Sequence, residues 1–181
     1  DIGAHRAPHA PAYRQFADVA KDPSWDPARE AHVALLRGLF LTSWLAEDLL
    51  LDNNNFGADV TIITSASSKT SIAMGWSVQQ RGGVSVGLTS EGNRAFVERL
   101  GCYTEVVTYD EIEEIDNNRR SVVVDMAGNG AVLADVHNHF GGTLAHSMAI
   151  GGSHWESFGQ QHKMAGPAPQ FFFAPAQIEK R

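Results

Sequence analysis

The chain has 181 residues, 43% of them hydrophobic, a net charge of −7 and a single cysteine. That length suits one domain with a lead-in segment and allows a sizeable buried core. One thiol excludes an internal disulfide and any zinc site built from several thiolates, and the acidic balance argues against a nucleic-acid backbone as the main partner. The apolar runs are too short to cross a membrane. A lone cysteine suits a reducing compartment, so a cytoplasmic location is expected. The chain opens at Asp1 without Met and is expected to be a piece of a longer protein.

Asp26-Pro27 reads as a helix start, with Asp as N-cap and Pro at the first helical position. Val33, Leu36, Leu39 or Phe40, Trp44 and Leu49 then recur at helical spacing, predicting one long helix or two abutting ones over Ala28 to Leu51. The polar run Asp52 to Asn55 ends it. Strands and helices then alternate. Strands are predicted at Val60–Thr64, Val84–Thr89, Glu105–Thr108, Ser121–Asp125, Thr143–Ile150 and Gln170–Phe173. Helices are predicted at Ser71–Arg81, from Ser90 to Leu100 with Gly101 past its end, and at Gly130–Phe140. "DEIEEID", from Asp110, reads as an acidic turn or short helix. The strands are continuous apolar runs, as when helices cover both faces. The fold class is therefore α/β: a doubly wound parallel sheet of about six strands with helices on both faces. Residues 1–55 form the lead-in and its helix; residues 56–181 form the sheet domain.

The first strand runs into "TSASSKTS" and then a helix. Strand, turn and helix in that order can cradle a phosphate, but such turns normally use glycine. Here Ser65, Ser68 and Ser71 stand three apart. Serine adds a Cβ, penalised wherever φ must be positive, and a hydroxyl that can bond a phosphate oxygen. Ser65, Ala66, Ser67, Ser68, Lys69, Thr70 and Ser71 are thus the candidate phosphate turn, helped by helix N-terminal amides and the Lys69 charge. The alternative is that the cluster is an ordinary N-cap. "SSKT" resembles the end of a P-loop, but that motif's upstream glycines are missing.

The second strand ends in "TSEGNR", about 20 positions further on, where an adenosine ribose is normally read. Ser90, Asn93 and Arg94 suit a 2′-phosphate, whereas Glu91 suits an unphosphorylated ribose. NADP(H) is the expected cofactor, with NAD(H) as the alternative. Ser90 as a simple helix cap and Arg94 as a solvated charge remain open.

Taken together, "LLRGLFLTSWLAEDLL", "ADVTIITSASSKTSIAMGWSV", "VSVGLTSEGNRAFVERLG", "YTEVVTYDEI", "SVVVDMAGN" and "QFFFAPAQIEKR" resemble the cofactor domain of the medium-chain dehydrogenase/reductases. The likeness is to a zinc-free, quinone-oxidoreductase-like branch labelled DUF2855, from about Arg14 onward. The resemblance implies a Rossmann sheet bearing NADP(H), paired with a separate barrel-like domain that this chain largely lacks. It implies that Ser65–Ser71 hold the pyrophosphate, and Ser90 and Arg94 the adenosine end. Asp125 to Asn129, with Ala127 and Gly128, would border the adenine and ribose. Ile150 and Gly151 would lie near the nicotinamide, and Thr42 and Ser43 close to the reacting ring. No general acid is identified.

Other chemistry finds less support. His137 and His139 form an HxH pair, but on a helix residues two apart point in different directions. Neither that pair nor His146, His154 and His162 is read as a metal site. Cys102 has no local activating base. Trp44, Trp76 and Phe171–Phe173 are expected in the core. Two functions stay open: an NADP(H)-dependent oxidoreductase portion transferring hydride to a carbonyl or activated alkene, and a non-catalytic nucleotide-binding or subunit-interaction module. The expected partner is a small-molecule substrate, without nucleic acid or membrane; self-association or pairing with a missing catalytic domain is the further expectation.

Overall fold

The computed structural model describes residues 3–16, 18–152 and 162–181. Its lead-in is a series of short 3-10 turns at Ala4–Arg6, Pro11–Tyr13, Val19–Lys21 and Pro27–Arg29. Asp26 caps the last of these, its carboxylate accepting the Ala28 N–H at 2.9 Å. Helix α1 follows over Glu30–Asp52.

Beyond α1 the order is β1 Val60–Ile63, α2 Lys69–Gln80, β2 Val84–Thr89, α3 Arg94–Leu100, β3 Glu105–Thr108, β4 Ser121–Asp125, α4 Gly130–Phe140, β5 Leu144–Ala149, β6 Gln170–Phe171 and α5 Ala174–Ile178. The six strands form one sheet in the order β3-β2-β1-β4-β5-β6. Every pairing is parallel. The chain order reverses between β1 and β4, the place where ligands bind on doubly wound sheets.

The period of two along each strand divides the core between the faces. Ile63, Val122, Val124 and Met148 pack with Leu45, Leu50, Met74, Val78, Val97 and Phe172, from α1, α2, α3 and the approach to α5. Val60, Ile62 and Val123 face the other way, against Val132, Leu133, Val136 and Phe140 of α4 and Ile112 of the Tyr109–Glu114 3-10 turn. The expected Rossmann-like sheet with helices on both faces is the observed fold. No helix among the described residues is long and apolar enough to cross a membrane.

Several boundaries differ; helix α3, for one, starts at Arg94 after a 3-10 turn over Glu91–Asn93 rather than at Ser90. Helix α2 starts at Lys69, two residues before the expected Ser71, because Ser68 is its N-cap. Residues Gly141–Thr143 form a 3-10 turn before β5. Strand β6 is two residues long, and its outer edge meets no further strand among the described residues.

The aromatic residues depart further from expectation. Trp44 is 42% exposed, Trp76 45%, Phe171 74% and Phe173 46%; of that set only Phe172 is buried. In α1 the buried residues run only from Ser43 to Leu50. The half of the helix before them leaves Leu36, Phe40 and Leu41 on the surface, as is Trp44 within that stretch, with Phe40 tilted against Trp76 at 5.7 Å.

Candidate functional site

The turn after β1 is where the sequence poses its question, and the backbone answers part of it. Ser65 adopts φ +54, the left-handed region that favours glycine. Behind it Ser68 accepts the Ser71 N–H at 3.2 Å and caps α2. Its own hydroxyl donates to Ser71 Oγ at 2.8 Å. Ser71 in turn donates to the Thr64 carbonyl at 2.8 Å and is fully buried. The N-cap reading therefore holds for Ser68, and Ser71 ties helix to strand.

Ala66 is also buried, with both backbone groups engaged. Its N–H donates to Leu88 O at 2.8 Å and its carbonyl accepts the Tyr103 hydroxyl at 2.9 Å. Burial keeps that phenol above its ordinary range, so it stays a donor. The Tyr103 ring fills the space that a Cβ on Gly75 or Gly87 would enter, at 2.5 Å and 2.9 Å. What remains at the mouth of the turn is Ser65, Ser67, Lys69, Thr70 and the first amides of α2. Those amides lack intrahelical acceptors and concentrate positive potential.

Opposite the turn lies the end of β2. Asn93 Nδ2 donates to Ser67 Oγ at 3.3 Å and to Ser90 Oγ at 3.2 Å. The structure thus brings the two predicted halves, the serine turn and Ser90 with Asn93, into one hydrogen-bonded edge. Ser90 sits at the N-cap of a 3-10 turn over Glu91–Asn93 but makes no side-chain cap bond. Arg94 is not a bare surface charge. Its guanidinium meets Glu111 at 2.9 Å, Glu98 at 3.3 Å and Glu91 at 3.7 Å, and these carboxylates, Glu111 foremost, raise its pKa above the ordinary value. Glu111 also accepts the Thr108 N–H at 3.2 Å in a capping box, so the loop after β3 anchors Arg94.

The third wall comes from β4 and β5. Asp125 is buried and accepts the Thr64 hydroxyl at 2.7 Å, the Ala127 N–H at 3.2 Å and the Gly128 N–H at 3.1 Å. Met126 N–H donates to Thr64 Oγ1 at 3.0 Å. The loop after β5 is stitched to the same place, Ile150 N–H donating to Asp125 O at 2.9 Å. A Cβ on Gly151 would lie 1.9 Å from Met126 O, so only glycine permits this approach. Gly128, at φ +69, faces Gly151 across it. Ala127, Gly128, Ile150 and Gly151 therefore share one wall.

Thr42 and Ser43 do not join it. Ser43 is fully buried and donates to Leu39 O at 3.1 Å and Thr70 O at 2.7 Å, tying α1 to the first turn of α2. Thr42 donates to Gly38 O at 2.9 Å within its own helix. A hydroxyl sealed in a helix contact cannot meet a reacting ring, which corrects the role expected for Ser43.

Two residues that the sequence reading missed belong here. Tyr109 stands beside Ser65; burial, and then Asp125, push its phenol up, and Ser65 opposes that rise. It also borders a polar cleft of about 670 Å³ with Asp110, Glu113, Asp135 and Asn138. Tyr103 props the turn from below. Glycines inside a predicted helix and strand, Gly75 and Gly87, were the signal for it, since such glycines mark close approach.

The histidines have other work. His137 bonds Ala165 O at 2.8 Å and Ser147 Oγ at 2.9 Å, and His139 bonds Ile115 O at 2.7 Å. His146 stacks on Phe56 with ring centroids 3.9 Å apart. His162 packs where a Cβ on Gly130 would be. His154 lies outside the described residues. No cluster of three or more His, Cys, Asp or Glu that could hold a metal occurs among the described residues.

A parallel sheet in this order, with a capped turn at β1 and glycine-mediated contact beyond β4 and β5, defines a Rossmann-type domain. The chain belongs to the DUF2855 family, described as a protein of unknown function, whose sequence profile matches residues 1–181. No curated protein matches it. Solved structures share the fold at low identity. A protein from Mesorhizobium loti, provisionally assigned as an NADPH:quinone reductase, is 10% identical over 79% of this chain and 44% of its own, with a TM-score of 0.57. A mutant enoyl thioester reductase from Candida tropicalis is 13% identical over 86% of this chain and 46% of its own, also at 0.57. An oxidoreductase from Salmonella enterica in complex with NADP is 19% identical over 72% of this chain and 40% of its own, at 0.53. The chain spans less than half the length of each of these proteins. The expected likeness to medium-chain reductase cofactor domains is borne out in the fold.

Proposed function

We propose that this chain is the NADP(H)-binding portion of a zinc-independent oxidoreductase acting in the cytoplasm. The observation that carries the reading is the shared edge of the serine turn and the end of β2, joined through Asn93. The residues suit the cofactor. A left-handed turn leads into an open helix N-terminus, which is the arrangement that receives a pyrophosphate. Ser67, Ser90, Asn93 and Arg94 offer hydroxyl, amide and guanidinium donors for the adenosine end. The glycine contact of Gly128 with Gly151 leaves a wall of bare backbone, which a flat ring can approach closely. The cofactor, when bound, supplies the hydride for a carbonyl or activated alkene. The chain's own part is to fix the pyrophosphate at α2 and orient the rest along the strand ends. Structural neighbours that bind NADP, one of them together with crotonyl-CoA, support this reading.

A second reading, a nucleotide-binding or subunit-interaction module without catalysis, is favoured by the exposed Phe40, Trp44 and Trp76 surface. The test is calorimetric titration of the folded chain with NADPH and with NADH at fixed salt. Ser68→Asp keeps a good N-cap residue while placing a negative charge at the turn. It is expected to weaken binding roughly tenfold or more, by charge repulsion at short range. Absence of binding of either nucleotide, or indifference to Ser68→Asp, overturns the proposal. Turnover with NADPH after adding a catalytic domain separates enzyme from module.

A further inference from the structure

Arg94 is surrounded by more negative charge than it needs. Three carboxylates share one guanidinium, and they are not equivalent. Glu111 contacts Nη1 at 2.9 Å, has a side chain only 31% exposed and is pinned by the Thr108 capping box. Glu98 contacts Nε at 3.3 Å from one turn further along α3. Glu91 stands at 3.7 Å from the same Nη1, with its side chain 75% exposed. It also comes from the turn that holds Ser90 and Asn93. Two of the carboxylates orient the arginine; the third holds it loosely from the side of the candidate ribose site.

We infer that Glu91 is a resident competitor for Arg94, displaced when a ligand carrying a 2′-phosphate binds, and that it thereby sets the preference between NADPH and NADH. The inference rests on the nucleotide reading above and adds the residue that tunes it. A phosphate dianion and the Glu91 carboxylate seek the same nitrogen, and like charges at that spacing repel. With Glu91 in place, part of the attraction between Arg94 and phosphate goes to moving the carboxylate aside. A ribose without the 2′-phosphate makes no such demand. Glu98 and Glu111 stay bound throughout, so the guanidinium keeps its orientation.

The experiment measures dissociation constants for NADPH and NADH in the full chain and in Glu91→Gln, at low and at physiological salt. Glu91→Gln is expected to tighten NADPH roughly three- to fivefold, the scale of an exposed ion pair, and to leave NADH within about twofold. The gain shrinks as salt rises. In an Arg94→Gln background the gain disappears, which a merely structural role for Glu91 would not produce. Glu114→Gln changes net charge equally but makes no ion pair with Arg94 among the described residues, and it is expected to leave the NADPH-to-NADH ratio unchanged. Equal tightening of both nucleotides, an equal effect of Glu114→Gln, or a gain that survives loss of Arg94 overturns the inference while leaving the nucleotide site standing. Failure of the parent chain and Glu91→Gln to bind either nucleotide overturns both.

Discussion

Ser65 is the residue at which the chain departs most sharply from a glycine-built phosphate turn, and its energetics can be worked from the geometry. At φ +54 it occupies the left-handed region, which costs an L-residue about 1–2 kcal/mol. Its hydroxyl also interacts with the Tyr109 phenol, a polar contact worth at most about 1 kcal/mol. Ser65→Ala keeps the strain and loses that contact, so it should destabilise by up to about 1 kcal/mol. Ser65→Gly loses the same contact but releases the strain, against an extra unfolded-state entropy of about 0.5–1 kcal/mol. The difference between the two variants isolates the backbone: glycine should exceed alanine by roughly 0.5–1 kcal/mol, or about 1–4 °C for a chain of this size. Ser65→Val adds β-branching in a region closed to it and should fall below alanine. Urea unfolding of the three variants side by side, read by tryptophan fluorescence, gives the ranking directly. An alanine variant as stable as the glycine variant would refute the left-handed turn, and with it the argument that the turn is shaped for a phosphate.

Three further outcomes follow from contacts around the same sheet. Tyr103→Phe leaves the buried Ala66 carbonyl unpaired and should cost about 1–3 kcal/mol in urea unfolding, while Gly87→Ala should cost a similar amount by driving a Cβ to 2.9 Å from the Tyr103 ring. Gly151→Ala places a methyl 1.9 Å from Met126 O, so it should lower the melting temperature and weaken NADPH binding together; a variant that melts and binds like the parent would mean that the β4 and β5 loops do not touch. His146 is buried against Phe56, and burial holds its pKa below the ordinary 6.5. The unfolded chain therefore binds its proton more tightly, so the stability it contributes is complete above pH 6.5 and declines as pH falls through that value toward the folded pKa. His146→Phe keeps the ring and removes the proton, and the loss of stability between pH 7 and pH 5 should be smaller in the variant than in the parent.

Much of the architecture could be read directly from the chain. Strands β2, β3 and β4 fall where valine-rich runs meet turn residues, because a strand covered on both faces admits little else. Helix α4 is legible for a related reason: Asn129 caps it, and Val132, Leu133, Val136 and Phe140 repeat at its own period. Less legible were properties set by partners distant in sequence. Nothing near Arg94 announces that Glu111, 17 residues on, will hold it. Periodicity also placed Trp44 in the core, because a pattern reports which side chains share a face and not whether anything covers that face. Ser43, placed by resemblance alone, engages its hydroxyl with Thr70, 27 residues away.

The opening puzzle of a phosphate turn without glycine resolves into a division of labour. A glycine-built turn asks glycine to bend the chain, to admit the ligand and to let helix and strand pack closely. Here Ser65 makes the bend, with Tyr109 beside it, and Ser68 caps the helix. Ser71 supplies the close contact with a hydrogen bond to Thr64 O instead of with bare backbone. The need for glycine has moved below the turn, to Gly75 and Gly87, which flank Tyr103 while its hydroxyl holds the Ala66 carbonyl. A larger residue at either place would push that ring upward against the turn it supports. The shape of the candidate phosphate site is thus set by two glycines and a tyrosine outside the apparent motif. For that reason Gly75→Ala should impair NADPH binding in a chain whose serine turn is untouched, and unaltered binding in that variant would show that the turn holds its shape without Tyr103.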